Sequence, residues 1–120
     1  MTPSGQETRL TDPTTGAQKG MKIERFDLIP PVPLRYIATV YGFGSKKYDD
    51  NNWFKGYPWS WSVGALERHL NAWKAGEDVD PESGLPHLAH AAWHCITLME
   101  FARSQRGADD RLVRFGSAPL

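Results

Sequence analysis

Three of the four histidines of the chain lie close together, at His87, His90 and His94. Their spacing of i, i+3 and i+7 places them on one stripe of a helix. His69 belongs to an earlier helical pattern, and it faces this stripe if the two helices pack antiparallel. Neutral imidazoles gathered in this way can bind Zn, Mn or Fe. They can equally be structural side chains beside an apolar face, or contact a nucleobase or a phosphate without metal.

An acidic segment, GEDVDPES at residues 76–83, precedes the histidine stripe. Its Glu77 and Asp80 form an E-x-x-D, a spacing that binds magnesium on helices, although Pro81 favours a loop here. Magnesium keeps several waters and needs only one or two carboxylates, so a loop can serve. The alternative is a solvated connector whose acids favour the N-terminus of the following helix.

Basic and aromatic residues accompany these groups. Lys47 and Lys55 follow the first helical pattern and Arg68 precedes His69, and Lys and Arg are the usual donors to phosphate. An aromatic ring nearby can stack on a purine. For Trp53 and Trp61, however, we favour the alternative that the rings form the core and the lysines its rim.

Composition excludes several classes of protein. The 120 residues carry 14 basic and 14 acidic side chains, so no global charge favours nucleic acid or an anionic membrane. Cys95 is the single cysteine, which excludes an internal disulfide and fits a reducing cytosol. No apolar run approaches the roughly 20 residues needed to span a bilayer, and the polar N-terminus does not resemble a signal peptide.

Three helical patterns must position these residues. The first, LRYIATVYGFG, covers residues 34–44 and is predicted to end at its two glycines. The second covers residues 61–76 and the third residues 85–105. No convincing alternation of period two is visible. The prediction is a mostly α, small single-domain helical fold with an antiparallel central helix pair and an irregular N-terminal arm.

The predicted organisation is a flexible arm over residues 1–20, a helical nucleotide-binding or hydrolase-like domain over residues 21–105, and a C-terminal tail over residues 106–120. Three helices make a thin core for a chain with 12% aromatic residues. We therefore expect a homo-oligomer that completes the core between copies.

Four segments together carry a family resemblance. They are KIERFDLIPP, YGFGSKKYDDNNWFKGYPWS, LERHL and GEDVDPESGLPHLAHAAWHCITLMEF, which fall within residues 19–101. In this order they resemble the phage dATP/dGTP diphosphohydrolase N-terminal domain family. The resemblance implies a phage protein of the host cytosol that acts on purine deoxynucleotides with a divalent metal. It implies a site at Lys47, Tyr48, Asn52, Trp53, Lys55, Arg68, His69, Glu77, Asp78, Asp80, Glu82, Ser83 and His87, with His94 as a further member.

The first hypothesis is therefore a hydrolase that cleaves dATP or dGTP to the monophosphate and pyrophosphate with Mg or Mn. It assigns the metal to His69, Asp80, His87 and His94, substrate contacts to Lys47, Tyr48, Asn52, Trp53, Lys55 and Arg68, and general acid–base work to Glu77 and Glu82. The chain lacks the E-x-x-E of all-α pyrophosphohydrolases and the adjacent His-Asp pair of HD phosphohydrolases. The alternative is a protein that sequesters a host signalling nucleotide without cleaving it.

Overall fold

The computed structural model describes residues 8–113, and the outer parts of the predicted arm and tail lie outside these residues. Two short strands are followed by three α-helices, with two short 3-10 helices between them. The mostly helical prediction is confirmed, with a small sheet in addition. No helix among residues 8–113 combines the length and the hydropathy needed to cross a membrane. The described residues divide into two compact units, 8–31 and 32–113.

The first unit contains a β-hairpin. Strand β1 (Thr8–Thr11) pairs antiparallel with β2 (Gln18–Met21), in register from Thr8 opposite Met21 to Thr11 opposite Gln18. Oδ1 of Asp12 closes the turn by accepting the backbone N–H groups of Thr14 and Thr15 at 2.8 and 2.9 Å. The expectation of an irregular arm is therefore wrong for these residues. All four residues of β1 are exposed. The strand therefore has no buried face, and its sequence shows no regular alternation of apolar and polar residues.

Helix α1 (Pro31–Lys47) is longer than predicted, because it continues through Gly42 and Gly44. A glycine inside a helix costs only about 1 kcal/mol relative to alanine, which tertiary contacts can offset. Val40 is buried, and the Tyr41 ring packs against Trp53 and Trp93. Lys47, which follows the predicted end of the helix at Gly44, is therefore the last residue of α1.

Helices α2 (Trp59–Lys74) and α3 (His87–Ser104) form the predicted antiparallel pair. Ser62 near the start of α2 contacts His94, and His69 further along α2 contacts His87. The centre of the core is Phe101, which is fully buried and packs edge-on against the ring of Tyr57. The two helices thus bring polar residues together along the line where they touch, which we call the seam and which includes Ser62, His69, His87 and His94.

The segment after α3 returns to the N-terminus of α2. The backbone N–H of Trp59 donates to the carbonyl of Ala108 at 3.0 Å. Asp110 Oδ1 accepts the backbone N–H of Ser60 at 2.9 Å, and its Oδ2 accepts the Ser60 hydroxyl at 2.5 Å. Because Pro58 at the N-cap makes no side-chain cap bond, Asp110 supplies the acceptor and the negative charge that a helix N-terminus favours.

We expect Asp110→Ala to lower the midpoint of thermal unfolding by several degrees, because α2 then begins with uncapped N–H groups. Asp110→Asn is the matched variant: its side-chain oxygen still accepts the Ser60 N–H, so most of the loss should be recovered. Circular dichroism melts of the three proteins measure the effect. Equal midpoints would show that Asp110 does not stabilise α2.

Candidate functional site

A pocket of about 1000 Å³ lies between the C-terminal half of α1, the seam of α2 and α3, and the loops that join them. This volume is at the upper end for small-molecule pockets. The predicted site residues on its wall are Lys47, Tyr48, Asn52, Trp53, Arg68, His69, Asp80, Glu82, His87 and His94. Glu77 and Lys55 do not line the pocket; Glu77 contacts His87 and Lys55 contacts Asn52.

All four histidines converge at this pocket, as the helical stripe predicted. The ring centroid of His69 lies 5.2 Å from that of His87, 4.6 Å from that of His90 and 6.2 Å from that of His94. The rings of His69 and His90 are stacked, with 6° between their planes. Helix α2 supplies one imidazole and α3 supplies three, so the pairing of these helices assembles the cluster.

A chain of hydrogen bonds joins Glu77 to His69 through His87. Glu77 Oε1 lies 2.6 Å from Nε2 of His87, and Nδ1 of His87 lies 2.9 Å from Nδ1 of His69. A carboxylate only accepts, so Nε2 of His87 carries a hydrogen. In the neutral ring Nδ1 of His87 then accepts from Nδ1–H of His69. Nε2 of His69 is left as a free lone pair.

A second chain joins Asp80 to His90 through Ser83. The Ser83 hydroxyl donates to Asp80 Oδ2 at 2.9 Å and lies 2.7 Å from Nε2 of His90. Since its single hydrogen goes to Asp80, the Ser83 oxygen accepts from Nε2–H of His90. Nδ1 of His90 is therefore its lone-pair nitrogen. Two carboxylates thus fix the tautomers of the imidazoles beside them.

A third chain is buried more deeply. The Ser62 hydroxyl lies 2.9 Å from Nδ1 of His94 and 2.5 Å from the Tyr57 hydroxyl. Ser62 is fully buried, and burial raises the pKa of Tyr57, so the phenol stays protonated at neutral pH. Nδ1 of His94 is engaged by this chain, which leaves Nε2 as its available nitrogen.

The cluster favours neutral imidazoles. Burial lowers the pKa of His69 and of His90, and the neighbouring His90 lowers that of His69 further. Burial, together with the nearby His69 and His90, lowers the pKa of His94 to about 4. Burial raises the pKa of Asp80, but hydrogen bonds from Ser83 and from the Glu82 N–H outweigh it, so the net pKa is lowered. At neutral pH the site therefore holds the Asp80 carboxylate beside uncharged imidazoles at His69, His90 and His94.

We predict that acid destabilises the fold through these histidines. Because the unfolded chain binds protons at a higher pKa than the folded one, stability is lost as pH falls below about 6.5. For His94 the difference between 6.5 and about 4 corresponds to about 3 kcal/mol, which partial exposure of the ring reduces to about 2 kcal/mol. Urea unfolding of the wild type and of His94→Gln at pH 7 and pH 4.5 measures it.

His94→Gln keeps a polar group for Ser62 but cannot titrate. It should lose less stability than the wild type between the two pH values, by about 2 kcal/mol. Carboxylates contribute equally to both proteins, so they cancel in the difference. Equal acid sensitivity would contradict the low pKa of His94.

The basic and aromatic residues occupy different parts of the wall. Nζ of Lys47 forms an ion pair with Glu82 Oε1 at 2.9 Å. No ion pair among residues 8–113 involves Arg68. Trp53 packs among core rings, as expected. The core expectation for Trp61 is wrong: it is 66% exposed and stacks on Tyr57 at the pocket, because on α2 it lies about 100° from Ser62 and so beside the contact with α3.

Comparison with known proteins gives these residues a context. The sequence model of the family described as dATP/dGTP diphosphohydrolase, N-terminal, matches residues 13–111. The chain belongs to this family. It is 32% identical over 84 residues to a dATP/dGTP diphosphohydrolase of Salmonella phage PMBT28, over 70% of this chain and 29% of the relative. The chain thus spans less than a third of that relative's length. No solved structure matches.

The family resemblance predicted a divalent metal, and the donor set can be tested against that. Among residues 8–113, no three His, Cys, Asp or Glu side chains are placed to hold a metal ion. Both ring nitrogens of His87 are in hydrogen bonds, so His87 would have to exchange one of them to become a ligand. The oxygens of Asp80 and Glu82 on the wall suit Mg²⁺, which takes few protein ligands and binds phosphate oxygens as well.

The site of this dATP/dGTP diphosphohydrolase family member also includes residues that the prediction omitted. His90 was recognised in the helical stripe but was given no role, although its ring stacks on His69. Tyr57 and Ser62 are not among the predicted site residues. The H-x-x-H spacing of His87 and His90 is the sequence signal that could have assigned His90 to the site. Nothing local in the sequence marks Ser62 as the partner of a histidine 32 positions later.

Proposed function

We propose that the pocket binds a purine deoxynucleoside triphosphate and hydrolyses it to the monophosphate and pyrophosphate, with Mg²⁺ or Mn²⁺. The family and the name of the phage relative support this substrate class. The observation that carries the proposal is the meeting of an anchored, lone-pair imidazole, His69, with a carboxylate, Asp80, and a cation, Arg68, on the wall of one pocket.

The phosphates of the substrate fit the side of the pocket that carries the cations. Arg68 offers a fork of N–H donors that matches phosphate oxygens. Lys47 would exchange its bond to Glu82 for a bond to phosphate. On the other side, Trp61 offers a largely exposed ring on which a purine can stack. Asn52 and the flanking Trp53 complete that wall, and Lys55 supports Asn52. Tyr48 lies on the side of the cations, with Nζ of Lys47 5.9 Å from the centre of its ring.

Hydrolysis at the α-phosphate needs a proton acceptor for the attacking water. The water oxygen bonds to the α-phosphorus, the bond from phosphorus to the bridging oxygen breaks, and pyrophosphate leaves with the electron pair. We assign the water proton to Nε2 of His69. Its Nδ1 proton can then pass to His87, where the positive charge is stabilised by Glu77 at 2.6 Å. Glu77 thus contributes to the base through two imidazoles.

The divalent ion would be held by Asp80 and Glu82, with Nε2 of His94 as a nitrogen ligand; the predicted ligand role of His69 is not kept, because its one free lone pair accepts the water proton. A bound Mg²⁺ or Mn²⁺ neutralises the triphosphate and polarises the phosphorus that is attacked. Ser83 and the N–H of Glu82 hold the Asp80 carboxylate in place. Glu82 is more exposed than Asp80, and it is the second predicted candidate for proton transfer.

The second candidate function is nucleotide sequestration. It is favoured by the internal hydrogen bonds that already engage the histidines and by the absence of a three-ligand metal cluster among residues 8–113. In this case cations and aromatic rings hold a host signalling nucleotide, and no bond is cleaved. The two functions share a pocket but differ in the fate of the ligand.

One experiment separates them. The protein is mixed with each of dATP, dGTP, dCTP and dTTP and with Mg²⁺ or Mn²⁺, and pyrophosphate and monophosphate are quantified, with His87→Ala as control. We expect the wild type to release pyrophosphate from dATP and dGTP, and we expect His87→Ala to abolish this release. Calorimetry with the same nucleotides and with cyclic dinucleotides follows. Tight binding with intact recovery of the ligand supports sequestration. A protein that neither cleaves nor binds any of these nucleotides would overturn both functions.

A further inference from the structure

Helix α3 carries a continuous apolar stripe that faces away from the pocket. At 100° per residue, Leu88, Cys95, Met99 and Ala102 fall within an arc of about 60°. Leu88 is 44% exposed and Met99 is 64% exposed, and Cys95 and Ala102 are exposed as well. None of the four lines the pocket. No charged residue lies within the stripe, which is unusual for a helix face in contact with water.

Helix α2 has a matching stripe. Val63, Leu66, Leu70 and Trp73 fall within an arc of about 80°, and Leu70 and Trp73 are 37% and 44% exposed. In an antiparallel pair, a rotation of about 100° about each helix axis, taken in the direction of increasing residue number from the seam residues, leads to the same side of the pair on both helices. The two stripes therefore form one apolar face, opposite the side where Arg68 and His90 line the pocket.

This face has the pattern of a core but not its burial. In the part of the chain that the structure describes, the buried apolar residues are Val40, Ala89, Ala91 and Phe101. The face, by contrast, has four large or medium apolar side chains that remain more than a third exposed: Leu70, Trp73, Leu88 and Met99. A contiguous exposed apolar patch of this kind marks an interaction surface.

We propose that the occupant of this face is a second copy of the chain, so that two α2–α3 pairs form a four-helix bundle with a pocket on each outer side. The four exposed side chains lie on one face of the helix pair, and a stable dimer buries an apolar area of this kind at the centre of an interface of about 800 Å² per partner. Glu67 and Lys74 flank the α2 stripe, with opposite charges that suit a polar rim.

The pattern also suits a two-fold axis. Cys95 is midway along the α3 stripe between Leu88 and Ala102, so residues on either side are of similar, apolar character. A stripe that is apolar from end to end remains complementary to itself after a two-fold rotation, as an isologous interface requires. The net charge of zero adds no overall repulsion between copies.

Sedimentation velocity tests the proposal without any ligand or activity. At tens of micromolar, the 13.5 kDa chain should sediment with twice that mass. Met99→Lys and Leu70→Lys each place a charge in the face and should give a monomer with an unchanged helical circular dichroism spectrum. Val79→Lys is the matched control: Val79 is 49% exposed but lies in the loop before α3, and the dimer should persist.

A wild-type chain that is monomeric at 100 micromolar would overturn the proposal. So would a self-associated species that survives both Met99→Lys and Leu70→Lys, because the contact would then lie elsewhere. Loss of helical signal in one variant leaves the other to decide, since the two lie on different helices.

Discussion

Asp80→Asn should lower kcat/KM for hydrolysis of a purine deoxynucleoside triphosphate by about 10³-fold, within the range of about 10²–10⁴ for a group that positions a proton or a metal. The carboxylate accepts from the Ser83 hydroxyl at 2.9 Å and lies 3.4 Å from Nε2 of His90. Its charge is the part that a divalent ion or a protonated imidazole requires. Asparagine keeps the shape and an acceptor oxygen but removes that charge.

Asparagine is preferable to alanine here because Asp80 also shapes the loop. Its backbone N–H donates to the Leu85 carbonyl and its carbonyl accepts from Gly84, both at 2.8 Å, and these bonds remain in the variant. Glu67→Gln on α2 is the control, since it removes the same charge from a residue that does not line the pocket. Rates are measured by pyrophosphate release under saturating Mg²⁺. Equal rates for wild type and Asp80→Asn would exclude Asp80 from the reaction.

The parts of the site that the sequence predicts are those set by local geometry. A helical repeat of 3.6 residues determines that His87, His90 and His94 share a stripe, whatever surrounds them. Whether His69 meets that stripe depends on the pairing of two helices, which their apolar faces favour. The convergence of the four histidines was therefore predictable, and so was the antiparallel pair.

Other features depend on contacts that no local pattern encodes. The bond between Ser62 and His94 joins residues 32 positions apart. The bonds from Ser60 to Asp110 span 50 positions. Helix α1 passes Gly42 and Gly44 although glycine commonly ends helices, because propensity is weak beside tertiary packing. The exposure of Leu70, Trp73, Leu88 and Met99, each more than a third within one chain, likewise depends on which surfaces meet and not on the local pattern.

The path of hydrogen bonds from Glu77 through His87 to His69 predicts the second large effect. It concerns both the activity that each single variant loses and the coupling between the two residues. His69→Ala should lower kcat by about 10³-fold by removing the proton acceptor. Glu77→Gln should lower it by about 10-fold, because an amide can still accept from Nε2 of His87 but cannot balance a positive charge there. If Glu77 acts only through the imidazoles, it has no effect once His69 is absent.

The double variant therefore decides the role of Glu77. When two residues act through one proton path, their effects are strongly non-additive, so Glu77→Gln in the His69→Ala background should cost less than about 2-fold. Independent roles, such as a carboxylate that activates water directly, would give the product of the two losses. A pH profile adds a second readout: with Glu77→Gln the acidic limb of kcat should move to lower pH, since the protonated imidazole pair loses its stabilising charge. Multiplicative losses with an unchanged acidic limb would contradict a path through His87 and separate Glu77 from the base.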